Sequence, residues 1–194
     1  MEINLADKTP DIRYLSDMQD VLYDQEWAQT APNIKLYYMY RKLSSENGIK
    51  YDITIIPAQM LGKEFNKTKG HQHLGDYQEI YTVIEGEAIY LMQKQKDNII
   101  EDVFAVKAKQ GDVVIIPAGY SHITINPSTK DLKMADWIAI GAKSDYEEIK
   151  KKKGACYFYT TDGWIKNENY EKVPELRFEE PRKEVPKDLS FLKN

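Results

Sequence analysis

The feature that most limits what this chain can fold into is a series of short apolar segments, rich in β-branched and aromatic residues, set apart by turn signals. Such segments run at 80–84, 88–93, 99–106, 113–116, 122–125 and 132–140. Breaks fall between them at Glu85-Gly86-Glu87, Asp97-Asn98, Gln110-Gly111-Asp112, Pro117-Ala118-Gly119 and Asn126-Pro127. Many short strands at near-regular spacing argue for a sandwich or barrel. Two further strands precede them: 34–40, with Ile34, Leu36, Tyr38 and Tyr40 facing one way, and 50–56, stopped by Pro57, with Asn47-Gly48 as a turn between them. Helices are expected only at the margins. Ser16-Asp17-Met18-Gln19 reads as a capping box opening a helix with Met18, Leu22 and Trp27 on its inner stripe, ending before Pro32. A second capping box, Ser144 to Glu147, opens a short helix that Gly154 ends. Beyond Trp164 the chain is polar, with Pro174, Pro181 and Pro186 among many charges, and is expected to run as an extended tail around the barrel or a partner subunit. The organisation read from this pattern is a single domain over 1–194: an N-terminal helical extension at 1–33, a barrel core at 34–143, a short helix and strand at 144–165 and a polar tail at 166–194.

At 194 residues and 42% hydrophobic content, the chain suits one domain with a sizeable core. A net charge of -4 gives no footprint for nucleic acid, and the lysine run at 150–153 sits beside Glu147 and Glu148 as a solvated helix face. Cys156 is the only cysteine, so an intrachain disulfide is impossible and a reducing compartment follows. The N-terminus carries charges where a signal peptide needs an apolar core, and no apolar run approaches the roughly 18 residues of a membrane span. The expectation is a cytoplasmic protein with neither a nucleic-acid nor a membrane partner.

The chain's 3 histidines lie in two blocks. In Gly70-His71-Gln72-His73 the two imidazoles are one residue apart, so in an extended strand both point to one side and can close on a single ion. Glu79 opens the next apolar stretch within reach of the same point, and His122 offers a fourth ligand. Asp76 competes with Glu79 for the carboxylate place. Three imidazoles and one carboxylate suit iron(II), manganese, nickel or zinc, with iron(II) placed first, and leave adjacent positions open in an octahedral field.

The two blocks resemble the signature motifs of the cupin family. The first is carried by His71, His73, Glu79 and Gly86, with six residues between Glu79 and Gly86; that spacing selects Glu79 over Asp76. Its gap of five residues between His73 and Glu79 is longer than in most cupins, and Phe65 stands where a leading glycine is usual. The second motif is matched at every spacing by Gly111, Pro117, Gly119, His122 and Asn126. The resemblance implies an all-β, double-stranded β-helix (jelly-roll) barrel holding one divalent metal ion per chain.

Within that superfamily, Thr54 to Pro57, Gly62 to Phe65, Thr68 to His73 and Glu79 to Tyr81 resemble the archaeal-type, cupin phosphoglucose isomerases, as do Leu15 to Met18 upstream and Asp145-Tyr146 downstream. This resemblance covers roughly 13–160. It implies metal-dependent interconversion of glucose 6-phosphate and fructose 6-phosphate, with the substrate phosphate held by Thr54, Thr68, the Gly70 amide and Tyr81, and Lys69 adding charge nearby. Hydroxyls and a backbone amide can donate to a phosphate dianion without a dinucleotide-type glycine loop. Glu79 is the expected base if a proton moves between C1 and C2; a hydride shift would need none. Where the family carries a tyrosine and a histidine after the last barrel strand, this chain is read as having Gly141 and Ser144. The alternatives from the same four ligands are an iron-dependent dioxygenase and a non-catalytic metal or sugar-phosphate binder. Pairing through sheet edges makes a homodimer the expected assembly.

Overall fold

The computed structural model describes residues 3–193. Met1 and Glu2 of the N-terminal extension and Asn194 of the tail lie outside the described residues.

Two sheets pack face to face. The larger has six strands in the order β1 (Asp11–Tyr14), β2 (Lys35–Glu46), β3 (Ile49–Ile56), β12 (Leu132–Ala139), β7 (Glu79–Glu85) and β10 (Val113–Ile116). The smaller has four, in the order β11 (Ser121–Ile125), β8 (Glu87–Lys96), β9 (Ile99–Lys109) and β16 (Arg177–Glu179). A two-stranded pair, β6 (Gln72–Leu74) with β13 (Lys143–Asp145), and a four-stranded flap of β15 (Gly163–Lys166), β14 (Tyr157–Thr160), β5 (Glu64–Phe65) and β4 (Met60–Leu61) close the sides. The crossovers that put β12 between β3 and β7 are those of a jelly roll, and the expected all-β cupin barrel is the fold observed.

Alternation explains the layers. Every second residue of β2, β3, β7 and β12 turns inward, so the inner face of the large sheet carries Tyr37, Met39, Arg41, Lys50, Asp52, Thr54, Glu79, Tyr81, Met134, Asp136 and Ile138 around one cleft. Deeper in, Tyr90, Met92, Ile116 and Leu132 are buried and fill the space between the sheets, while Leu91 and Ile123, paired across β8 and β11, are buried on the other face of the small sheet. The outer face of the same sheet is also covered. Ile49, Ile80 and Val113 meet Leu192 of the tail in a second apolar cluster. The tail thus wraps its own barrel: β16 pairs parallel with β9, Arg182 exchanges backbone hydrogen bonds with Val113, and Leu192 is fully buried.

The N-terminal segment departs from the expected helix. It begins with a strand, β1, paired antiparallel to β2, followed by two 3-10 turns (Leu15–Asp17 and Gln19–Val21) and only then by α1 (Gln25–Thr30). Leu22 is extended, at φ -94 and ψ 152, which breaks the expected helix after Val21, and the cap that works is Asp24, whose Oδ1 accepts from the Trp27 amide at 3.0 Å. The Ser16 amide donates instead to Asn33 Oδ1. Likewise α2 (Glu147–Lys151) starts after Tyr146, with Asp145 Oδ1 accepting from the Glu147 amide, so Ser144 is a strand residue and not a cap. Gly154, at φ +127, stands just beyond that helix, its amide donating to the Ile149 carbonyl.

Candidate functional site

His71 and His122 exchange backbone hydrogen bonds (3.2 and 2.9 Å), which sets their side chains on one face with ring centroids 4.4 Å apart. His73, on β6, brings its ring to 4.8 Å from His71 and 5.4 Å from His122. Glu79 is the first residue of β7 and points to the same place. Its Oε2 lies 3.0 Å from His73 Nε2 and 3.1 Å from His122 Nε2. One ligand atom from each of the four residues falls within 4.8 Å of the others. Two donors each about 2.1 Å from a common ion stand at most about 4.2 Å apart, so small side-chain adjustments close this cluster on a divalent cation. Asp76 is exposed and outside the cluster.

The electrostatics suit cation ligation. Burial, reinforced by His122, pushes His71 well below the ordinary imidazole range, which leaves its ring neutral and its lone pair available. Burial works to raise Glu79, but the hydrogen bonds with His122 and His73 outweigh it and hold the carboxylate well below its ordinary range. Tyr81 is pushed well above its ordinary value by burial and by Glu79, so its hydroxyl stays protonated; it lies 3.4 Å from His122 Nε2. The Nδ1 atoms of His73 and His122 are buried without a hydrogen-bond partner.

A second acid joins the first. Asp136, 6% exposed, stands opposite Tyr81 across β7 and opposite Asp52 across β3. Burial first, then the Glu79 and Asp52 carboxylates, pushes Asp136 well above the ordinary carboxyl range. Asp52 accepts from Lys50 Nζ at 2.9 Å and from the Lys42 amide, where β2 bulges and Lys42 adopts φ +53. Sequence reasoning missed Asp136 and Asp52. The available signal was a charged residue on the inward phase of an otherwise apolar strand, Met134-Asp136-Ile138.

The residues expected at a phosphate line the same cleft. Thr54 is buried on β3. Thr68 Oγ1 accepts from the Thr124 amide, which leaves its own proton free to donate. Gly70, at φ +84, turns the chain between Thr68 and His71, whose amides bond to Thr124 and His122. A Cβ on Gly70 would lie 2.4 Å from Ile123 Cγ1, so only glycine lets the backbone approach here. Tyr37 and Tyr146 also line the cleft and were not singled out from sequence. After the last barrel strand, Ser144 faces the cleft opposite His73, but Gly141 does not; Ile138 and Ala142 form that wall. A second groove, between Tyr51, Trp137 and the tail residues Lys187 and Leu189, lies on the outer face and holds none of the expected site residues.

No helix among the described residues is long and apolar enough to cross a membrane. The family model described as glucose-6-phosphate isomerase (GPI) matches residues 13–175. The glucose-6-phosphate isomerase of Thermococcus onnurineus is 28% identical over 146 residues, covering 73% of this chain and 75% of that protein. That of Thermococcus kodakarensis is 27% identical over 160 residues, covering 80% and 82%. Among solved structures, a predicted oxalate decarboxylase from Thermotoga maritima aligns at a TM-score of 0.46 and 21% identity over 72% of this chain and 100% of that one. The chain belongs to the glucose-6-phosphate isomerase family, and its reaction is the interconversion of glucose 6-phosphate and fructose 6-phosphate.

Proposed function

We propose that the isomerisation runs by proton transfer at a divalent metal held by His71, His73, Glu79 and His122, with Glu79 also serving as the base. The observation that supports this is the convergence on one carboxylate: His73 and His122 hold their Nε2 atoms 3.0 and 3.1 Å from Glu79, and Tyr81 and Asp136 line the same cleft. Iron(II) is the first candidate, followed by manganese, zinc and nickel. A bound divalent ion supplies Lewis-acid stabilisation of negative charge on the substrate's O1 and O2. Thr54, Thr68 and the Gly70 amide bind the phosphate from one end of the cleft, and Tyr81 spans from that end to Glu79. Binding a group that does not react fixes C1 and C2 against the carboxylate. Glu79 takes the proton from C2 of the aldose and returns it to C1, while a proton passes between O1 and O2 within reach of the Tyr81 hydroxyl. A homodimer is proposed for the assembly, tested by the native mass in sedimentation.

The test has two arms. The protein is stripped with chelator, restored with each ion separately, and assayed for fructose 6-phosphate conversion through a coupled dehydrogenase. Activity should vanish and return with one or two ions. The reaction is then run in deuterium oxide, where proton transfer through Glu79 places solvent deuterium on C1 or C2. Full retention of the substrate hydrogen, or a Glu79→Gln variant that binds metal and turns over near the wild-type rate, rejects Glu79 as the base.

A further inference from the structure

The N-terminal strand sets a fixed positive charge behind two tyrosines that line the cleft, Tyr37 and Tyr146. Arg13 on β1 stands opposite Tyr37 on β2, and its Nε donates to the Tyr37 hydroxyl at 3.3 Å. The Lys69 amide donates to the same oxygen, also at 3.3 Å. Tyr37 is 3% exposed and lines the cleft, so with two donors already on its oxygen, its own proton is directed elsewhere. The Arg13 guanidinium lies 5.9 Å from the centroids of both the Tyr37 and Tyr146 rings, and Lys69 Nζ lies 5.7 Å from that of Tyr146. Neither cation forms an ion pair among the described residues.

Two cations without an ion-pair partner, gathered around tyrosines that line a cleft, suit an anionic ligand. Gly70, the residue after Lys69, lines the cleft together with Tyr37, Thr54 and Thr68. We infer that Arg13, with Lys69 beside it, is the charge anchor for the phosphate monoester dianion of the substrate, acting on the hydroxyl-and-amide cradle through Tyr37 from directly behind that wall of the cleft. The inference rests on the isomerase reading for the identity of the ester. It gives β1 a part in substrate binding: the strand that opens the N-terminal extension completes the anion end of the cleft.

The test uses Arg13→Met and Arg13→Lys in the full chain, with sorbitol 6-phosphate as a ligand that has no carbonyl to turn over and sorbitol as its uncharged counterpart. Binding is measured by calorimetry and turnover of fructose 6-phosphate by the coupled assay. Arg13→Met should raise KM about tenfold with kcat changed less than twofold, and weaken sorbitol 6-phosphate by the same factor, about 1.4 kcal/mol. Sorbitol binding and metal content should not move. Arg13→Lys should recover part of the loss, since it keeps the charge but not the planar fork. Wild-type affinity for the ester should fall with salt more steeply than that of Arg13→Met. Equal affinity for the ester in Arg13→Met and wild type overturns the inference while leaving the isomerase intact; so does equal weakening of sorbitol and its phosphate, which would mark Arg13 as structural. Arg13-dependent ester binding in a protein that fails to turn over fructose 6-phosphate would uphold the anchor and reject the isomerase.

Discussion

Replacing Gly70 with alanine tests how the backbone, rather than the side chains, builds this cleft. The added Cβ would sit 2.4 Å from Ile123 Cγ1, 3.0 Å from Ile123 Cδ1 and 3.5 Å from the His122 carbonyl oxygen. Two costs follow. Holding alanine at φ +84 costs about 1–2 kcal/mol, and forcing a methyl into packed Ile123 costs about 1–3 kcal/mol. The sum, about 2–5 kcal/mol, is a large share of the total stability of a domain of this kind, about 5–15 kcal/mol. The two costs separate in a double-mutant cycle. Ile123→Ala alone leaves a cavity and costs about 2–5 kcal/mol; in the double variant the methyl added by Gly70→Ala occupies part of that space, so the pair should be less destabilised than the sum of the singles by at least about 1 kcal/mol. The backbone cost stays, because no side-chain change relieves it. Urea unfolding of the metal-free protein reads each term. A Gly70→Ala variant within about 0.5 kcal/mol of wild type, or strict additivity in the cycle, would refute this account. Gly86 supplies the contrast: its Cβ would meet the Asp131 carbonyl oxygen at 2.6 Å, a backbone atom, so Gly86→Ala should have no second-site rescue.

Two further outcomes are expected. Asp112 accepts from Lys183 Nζ at 2.6 Å and from the Lys109 amide, and although desolvation acts to raise it, these bonds hold it below the ordinary carboxyl range. A depressed folded pKa contributes stability above the unfolded value and loses it as pH falls through the folded value. Asp112→Asn should therefore cost about 1 kcal/mol near neutrality, where the partner lysine is largely exposed, and nothing once both forms are protonated below the ordinary carboxyl range; a deficit unchanged across that window in pH-dependent unfolding would contradict the assignment. Cys156 is buried, and burial pushes its thiol far above its ordinary value. It should resist thiol reagents in the native protein and react within minutes once unfolded in urea; fast native labelling would contradict its placement.

The barrel was legible because each of its central strands announces itself locally. Val113–Ile116 is where the sequence puts it, and Ile99–Lys109 and Leu132–Ala139 differ from their expected limits by only a few residues. The grouping of His71, His73, Glu79 and His122, which could hold a metal ion, was legible because the four residues sit in two short blocks whose spacing is itself the geometry. What was not legible is whatever depends on register between distant strands. Tyr37, Asp52 and Asp136 share one wall because β2, β3 and β12 lie side by side, and no local pattern says that residue 52 faces residue 136. Arg13 was hidden for the same reason, compounded by the segment being read as helix: the capping-box pattern at Ser16 is real as composition, but the Ser16 amide that Gln19 would have capped donates to Asn33, and the helix starts later, behind Asp24. Trp27 packs partly against the core all the same, from a helix that starts after Asp24.

Register also ties the chemistry to a turn far from any ligand. β2 and β3 are joined by two residues, Asn47 at φ +52 and Gly48 at φ +80, with Glu46 paired to Ile49. Positive φ at both central positions is the type I′ hairpin geometry, whose twist matches the strands and whose length fixes the pairing. A slip of one residue along β3 would turn Ile49, Tyr51, Ile53 and Ile55 into the cleft and carry Lys50, Asp52 and Thr54 to the outer face. Two features oppose that slip. The outer face of β3 is committed to the apolar cluster that Leu192 closes, where Lys50 or Asp52 would be stranded. The inner face gives Asp52 the Lys42 amide only because β2 bulges between Tyr40 and Ser44. Turn, bulge and tail therefore enforce one register together, and the tail, by burying Leu192 in one cluster with Ile49, helps determine which residues of β3 face the cleft.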